Sequence, residues 1–247
     1  MRIAVISDIH GNLISLDAVL AAIRASGVDQ IICLGDCIQG GPQPAQVVAR
    51  LRELACPIVM GNADSFLLTG EESGHELMDP IRWEKLLAVR EWTNSQLSED
   101  DRAFIVGFQP TVEVRLDDTR KLIGFHGSPH SFDEIIVPET PDADAQKLLD
   151  GFDPHFLCGG HTHIQQIRHL SQSFYFGCGS TSLPFRYHYV SETKKVNPWA
   201  EFAVFTADKN QGVSLDFRRI PFDIDALANI YRASGRPYAD EAVEMYR

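Results

Sequence analysis

The sequence predicts an α/β protein in which short, fully buried strands alternate with amphipathic helices. Three observations carry this. Five apolar runs each end in glycine or a polar cluster: Ile3–Ser7, Ile31–Leu34, Pro57–Met60, Lys121–Phe125 and His155–Cys158. Four to six apolar residues bounded in this way mark strands covered on both faces. Between the first three runs lie two segments with helical periodicity, and a strand–helix–strand–helix–strand order implies parallel pairing with helices packed on the sheet.

The elements follow in order. After the first run Asn12 can cap a helix whose apolar face is Leu13, Leu16, Leu20 and Ile23, with Gly27 where a helix ends. A second strand is predicted at Gln30–Leu34, a second helix over about Pro44–Leu54, and a third strand at Pro57–Met60. From 63 to 107 there is no strand signal. Asp79-Pro80 reads as an N-cap and first-turn proline for a helix carrying Trp83, Leu86, Leu87 and Trp92, and Ser98 with Asp101 forms a capping-box pattern. This stretch is either a helical lid over the strand ends or a layer that fills space. Trp83, Trp92 and Phe104 are read as core under it rather than as a platform for stacking bases.

Strands are then expected at Thr111–Leu116 and Lys121–Phe125, joined by a hairpin turn at Asp117-Asp118-Thr119-Arg120. Thr140-Pro141 opens a helix to about Asp150. Further strands are placed at His155–Cys158, Ile164–Leu170, Phe174–Phe176, Glu201–Thr206 and Val213–Arg219. A last helix from Asp223 includes Leu227, Ile230 and Tyr231 and stops at Gly235-Arg236-Pro237, leaving a short acidic tail. With no repeat or linker, residues 1–247 are read as one domain with two sheets and outer helices.

Composition narrows the function. The chain has 247 residues, 44% hydrophobic and 23% charged, with a net charge of −12. That acidity argues against extended nucleic-acid partners, including a nuclease role, because binding a phosphate backbone needs a basic surface. Five cysteines (Cys33, Cys37, Cys56, Cys158, Cys178) match no zinc motif and read as free thiols of a reducing, cytoplasmic compartment. The N-terminus is too short and too soon polar for a signal peptide, and no run is long enough to span a bilayer. No membrane partner is expected, and oligomeric state is left open.

The chemistry sits where the apolar runs end. Asp8 and His10 follow the first; Asp36 follows the second, after Gly35, which permits a sharp turn; Asn62 follows the third; His126 the fourth; His161 and His163 the fifth. In open α/β sheets, sites form beyond the carboxyl ends of the strands. Asp8 and His10, two apart on extended backbone, would share a face. Seven ligands are too many for one ion and suit two. Their mix of carboxylate and imidazole favours manganese, iron or zinc over magnesium or calcium. A shared carboxylate such as Asp36 could bridge the pair. Two ions roughly 3.5–4 Å apart can hold a hydroxide and clamp the oxygens of an in-line phosphoryl displacement.

Asp8-Ile9-His10, Gly35-Asp36 with Gly40 or Gly41 following, Gly61-Asn62-Ala63-Asp64, His126-Gly127 and Gly160-His161-Thr162-His163 together resemble the signature set of the calcineurin-like metallophosphoesterases. The likeness covers roughly residues 1–190 and implies a four-layer α/β/β/α sandwich with two metals at its apex. It implies that one metal takes Asp8, His10, Asp36 and His163, and the other Asp36, Asn62, His126 and His161. Asp36, Asn62 and His126 would then serve catalysis through the metals and the substrate phosphate. The segment before His126-Gly127-Ser128-Pro129 is similar to the diadenosine-tetraphosphatase-like and small phosphodiesterase branch. The expected function is cleavage of phosphodiester or phosphoanhydride bonds in a small, nucleotide-like substrate; the alternative is a non-catalytic protein-binding scaffold on the same fold.

Two positions depart from that family's pattern. Ala63 replaces a histidine that steadies or protonates the leaving group, which points to substrates with stable leaving anions. Gly177-Cys178-Gly179-Ser180 replaces a related loop and is assigned no catalytic role. His130 and Arg186 are candidate substrate contacts, His75 a weaker one in the lid. His155, His169 and His188 are read as surface or packing residues, and Asp64 as a cap that orients the loop after Asn62.

Overall fold

A computed structural model describes residues 1–152, 156–170, 173–185, 195–208 and 212–247. His155, Arg186 and His188 lie outside the described residues. The first sheet contains β1 (Arg2–Ile6), β2 (Gln30–Cys33), β8 (Trp199–Asp208) and β9 (Gly212–Pro221) in the order β2-β1-β8-β9. The second contains β3 (Val112–Arg115), β4 (Lys121–Phe125), β5 (Phe156–Gly159), β6 (Gln165–Leu170) and β7 (Ser173–Cys178) in the order β3-β4-β5-β7-β6. β1 and β2 are parallel, as are β4, β5 and β7, so the strands expected to carry ligands leave their sheets in a common direction. β3, β6, β8 and β9 pair antiparallel.

Side-chain alternation along β1 separates the layers. Ala4 and Ile6 face α1 (Leu13–Ser26) and α2 (Pro44–Leu54), packing with Leu16, Leu20, Val47 and Leu51. Ile3 and Val5 face the other sheet and meet Val112, Leu122, Phe176 and Phe205. On the far side of the second sheet Ile123, Phe125 and Tyr175 pack on Ala145 and Leu149 at α6 (Asp142–Leu148). The result is helices, sheet, sheet, helix: the α/β/β/α sandwich. Asn12 Oδ1 accepts from Ser15 N at 3.1 Å, and Gly27 closes α1 at φ 60°, as expected of those residues.

The helical stretch resolves into α3 (Asn62–Thr69), a 3₁₀ turn (His75–Leu77), α4 (Pro80–Ser95) and α5 (Glu99–Val106). Leu67 of α3 and Ile105 of α5 belong to the outer-helix core, as does Phe104 at its margin. α4 instead buries only Val89 and Thr93. It is tied to α3 where Arg90 Nη2 donates to Leu68 O at 3.2 Å and Asn94 Nδ2 to Leu67 O at 3.0 Å, occupying carbonyls that a helix end leaves free. One end of the insertion therefore fills space and the other overhangs.

Two expectations need correction. Pro57–Met60 is not a strand with a full ladder. Ile58 bridges Cys33 and Val59 bridges Gln109, because the chain turns into α3 before further pairs can form. The helix from Asp223 is also not the last: α7 (Ile224–Ala233) is followed in the acidic tail by α8 (Ala239–Glu244). Val243 and Tyr246 are buried against Leu227 and Tyr231, a contact too brief in sequence to register as periodicity. Tyr246 Oη lies 3.2 Å from Ser182 Oγ, which joins the tail to the loop after β7.

Tyr246→Ala should lower unfolding free energy by about 3 kcal/mol in urea titration, the usual cost of emptying a buried aromatic site. A loss under about 1 kcal/mol would show that the tail does not pack there in solution.

Candidate metal centre

The ligand-bearing loops are fastened to one another by backbone hydrogen bonds. Asp8 N donates to Gly35 O, His10 N to Asp36 O and Gly11 N to Cys37 O, each at 2.9 Å. Gly160 N donates to His126 O at 3.0 Å, and Ser182 N and Ser180 Oγ both reach Asp8 O. Asp8 and His10 thus converge, but not on extended backbone. Their φ values are 55° and 45°, and those of Asp36, His161 and His163 are 51°, 65° and 58°. Each such left-handed residue costs about 1–3 kcal/mol and persists only where the surroundings over-determine it. Only two other non-glycine residues among those described share this conformation.

Two glycines are obligatory here. Gly35 turns at φ 93°, as expected, and a Cβ on Gly61 would sit 2.1 Å from Asp36 Oδ1. That close approach lets Ala63 N donate to Asp36 Oδ1 at 2.8 Å. Asp64 accepts from Cys37 N and Ile38 N at 3.0 and 3.1 Å, joining the loop after β2 to the start of α3.

Three imidazoles are aimed the same way. The Nδ1–H of His10, His126 and His163 donates to the carbonyl of Gln39, Leu34 and Leu183, at 2.9, 2.7 and 2.7 Å. Because a carbonyl only accepts, Nδ1 carries the proton and Nε2 of each neutral ring points its lone pair inward. There it meets other acceptors. His10 Nε2 lies 3.2 Å from His163 Nε2 and 3.7 Å from Asp36 Oδ2; His163 Nε2 is 3.2 Å from Asp8 Oδ1; His126 Nε2 is 3.0 Å from Asn62 Oδ1 and 3.4 Å from Asp36 Oδ1. Both oxygens of Asp8, wholly buried, have no hydrogen-bond donor among the described residues. Acceptors facing acceptors in a dry site require protons or cations between them. The donor set therefore fits divalent metal.

The residues fall into two groups whose ligand atoms lie within 4.8 Å of one another: Asp8, His10, Asp36 and His163, and Asp36, His126 and His161. Asp36 belongs to both, and Asn62 Oδ1 stands beside the second. Titration in the metal-free chain reflects the crowding. Burial pushes Asp36 up, but His126 and His10 hold its carboxyl well below the ordinary range; for Asp8, burial is likewise overcome by His163. Burial draws His161 down to about 4 and lowers His10, leaving neutral rings. His126 runs the other way: burial lowers it, yet Asp36 and Asp8 raise it to about 10. Asp64, desolvated and close to Asp36, rises to about 7.

Residues 1–196 match the calcineurin-like phosphoesterase superfamily domain. The chain belongs to that superfamily. It is 35% identical over 164 residues to the uncharacterized protein MJ0912 of Methanocaldococcus jannaschii, covering 66% of this chain and 62% of that relative's length. It is 28% identical over 196 residues to phosphodiesterase YfcE of Escherichia coli, covering 74% of this chain and 81% of YfcE. A metallophosphoesterase of Sphaerobacter thermophilus superposes with a TM-score of 0.70 at 25% identity, over 98% of this chain and 97% of that one. The residues that the signature motifs implied as ligands are brought together in these two candidate groups, with Asn62 beside the second.

Around the cluster is a cleft of about 290 Å³. Arg82 and Leu86 of α4 line one side, and Leu183, Phe185 and Met245 another. An adjoining chamber of about 540 Å³ shares Asn62 and Glu72 with the cleft. His75 and Trp83 stack at 5.1 Å along it, so Trp83 lines a chamber rather than core. Of the two candidate substrate contacts, Arg186 lies outside the described residues. His130 is not brought to the cleft: its Nε2 donates to Asp150 O at 3.0 Å and its ring meets Phe152, beside α6. His169 packs on Phe174, as a packing residue.

Sequence reasoning missed Arg82, whose place in the first turn of α4 has no local signature. The loop after β7, which the sequence marked without assigning it a catalytic role, shapes the site: Ser180 holds Asp8 O and Leu183 orients His163. No helix among the described residues is long and apolar enough to cross a membrane.

Metal uptake by the metal-free chain should release a proton from His126 below pH 10 and tighten by about tenfold per pH unit as that proton becomes easier to remove. Calorimetry in buffers of different ionisation enthalpy measures both; uptake independent of pH from 6 to 9 would refute it. By the same linkage, His126 stabilises the metal-free fold fully below its ordinary 6.5, and that contribution is lost as pH rises through about 10.

Proposed function

We propose that this protein is a metal-dependent hydrolase of small phosphodiesters whose leaving group departs as a stable anion. The observation that carries this is the pair of ligand groups sharing Asp36. Asp8, His10, Asp36 and His163 would hold one cation, and Asp36, Asn62, His126 and His161 the other. Their mixed nitrogen and oxygen donors suit manganese, iron or zinc. When bound, two such ions make water nucleophilic near neutral pH and offset charge on the phosphoryl oxygens.

The chain's own residues do the rest. The left-handed loops hold the ligands converged, Ala63 N fixes Asp36 Oδ1, and the carbonyls of Gln39, Leu34 and Leu183 keep three imidazoles turned inward. Arg82, the basic side chain lining the cleft from α4, is placed to meet a phosphate. Ala63 also lines the cleft, and its methyl group cannot give a proton to a departing oxygen, so leaving groups that need none are favoured. The adjoining chamber carries Glu71, Glu72, Glu76 and Asp133, an unfavourable setting for a second phosphate. That chamber supports a diester over a nucleoside polyphosphate. The small cleft and the net charge of −12 support a small substrate and no extended nucleic acid. Five free thiols support a reducing, cytoplasmic setting.

Manganese-loaded protein should cleave an aryl phosphodiester at least about 100-fold faster than a sugar monophosphate, the scale of one missing general acid. A faster monophosphate overturns the reading, and two bound metals without turnover on diesters, monoesters or dinucleoside polyphosphates would favour a protein-binding scaffold. Asp36→Asn should lower occupancy of both ions together by elemental analysis; loss of one alone contradicts the shared ligand.

A further inference from the structure

Gln39 lies in the loop between β2 and α2 and lines the cleft with His10, Asp36 and His163. It is 5% exposed, and neither its Nε2 nor its Oε1 has a hydrogen-bond partner among the described residues. Leaving a buried polar group unpaired is destabilising, and here two stand on one side chain. The loop leaves little room to relieve this by moving. The carbonyl of Gln39 accepts from His10 Nδ1 at 2.9 Å, the next carbonyl, Gly40 O, accepts from Arg236 Nε at 2.5 Å, and Asp64 holds the amides of Cys37 and Ile38. The loop backbone is thus held rigid, and the amide, itself out of contact with solvent, reaches the cleft that Gln39 lines by rotation of the side chain.

The chemistry of that amide defines what satisfies it. It is uncharged and has no acidic proton, so it does not replace the histidine missing at Ala63. It offers one donor face and one acceptor face, which a phosphoryl oxygen alone cannot fill. An ester group carrying a hydroxyl close to the phosphate can fill both.

We propose that Gln39 is a specificity-determining substrate contact: Nε2 donates to an unesterified phosphoryl oxygen, and Oε1 accepts from a hydroxyl on the ester group that stays on phosphorus. The substrates are then phosphodiesters whose retained alcohol is a polyol, such as a glycerol or sugar unit. This deepens the phosphodiesterase reading and rests on it. The carboxylates of Glu71, Glu72 and Asp133 in the adjoining chamber supply acceptors for further hydroxyls.

The test compares glyceryl p-nitrophenyl phosphate with propyl p-nitrophenyl phosphate, which share a leaving group and differ only in hydroxyls. The manganese-loaded wild type should prefer the glyceryl ester in kcat/KM by about tenfold or more, the worth of one to two hydrogen bonds. Gln39→Leu should abolish that preference while still binding two metals. Gln39→Met, which removes both amide atoms at nearly the same length, serves if the leucine variant does not fold. Equal rates on both esters in the wild type, or an unchanged preference in the variants, overturn the proposal. If neither ester turns over with both metals bound, the phosphodiesterase reading fails. Calorimetric titration with glycerol phosphate against propyl phosphate then decides Gln39 separately: a preference for glycerol phosphate lost in Gln39→Leu supports the contact, and equal affinities refute it.

Discussion

The arrangement of this protein depends on one electrostatic conflict: buried acceptors pointing at one another. Asp8, Asp36, Asn62 Oδ1 and the inward nitrogens of His10, His126 and His163 lie 3.0–3.7 Å from one another in successive pairs, although none of these atoms can donate to another while the rings are neutral. In a dry site such a cluster would fly apart unless a positive charge stood among the groups. A divalent ion supplies it best, because a proton satisfies one pair of lone pairs and an ion satisfies four or more.

Holding the cluster together is the work of the backbone. Five ligands in left-handed conformation represent several kcal/mol of local strain by ordinary magnitudes. The zipper of Asp8 N, His10 N and Gly11 N onto the loop after β2 offsets it, with Asp64 and Ser180 closing the loops from either side. The sandwich core explains why these loops meet. Ile3 and Val5 seat β1 against the second sheet, so the carboxyl ends of β1, β2, β4 and β5 open on a common edge.

The shape of the cleft comes from parts outside the ligand loops. α4 overhangs from the insertion and α8 returns from the C-terminus. Lys85 Nζ lies 2.6 Å from Glu241 Oε2, an exposed ion pair worth little energy by itself. It nonetheless shows the two helices meeting beside the cleft, where Arg82 and Met245 both contribute lining. These helices and the ligand residues line one and the same cleft.

Much of this was legible in sequence. Short apolar runs declared the strands, Asn12 and Gly27 bounded α1, and the order of Asp, His, Asn and Gly at run ends marked the candidate ligands, because chemistry that needs a metal restricts residue types at fixed points. What sequence could not declare depended on distant contacts. Pro57–Met60 reads as a strand but forms only bridges, since its ladder is cut short by α3. The tail became a helix because Val243 and Tyr246 find a pocket made by residues far away in the chain. His130 was drawn to Asp150, and Arg82 and Gln39 to the cleft, by packing that no local pattern encodes. Sequence alone determined which groups could bind metal. Tertiary structure decided which lone pairs face one another and which side chain is left unsatisfied beside them, because those depend on where backbone carbonyls from other strands come to lie.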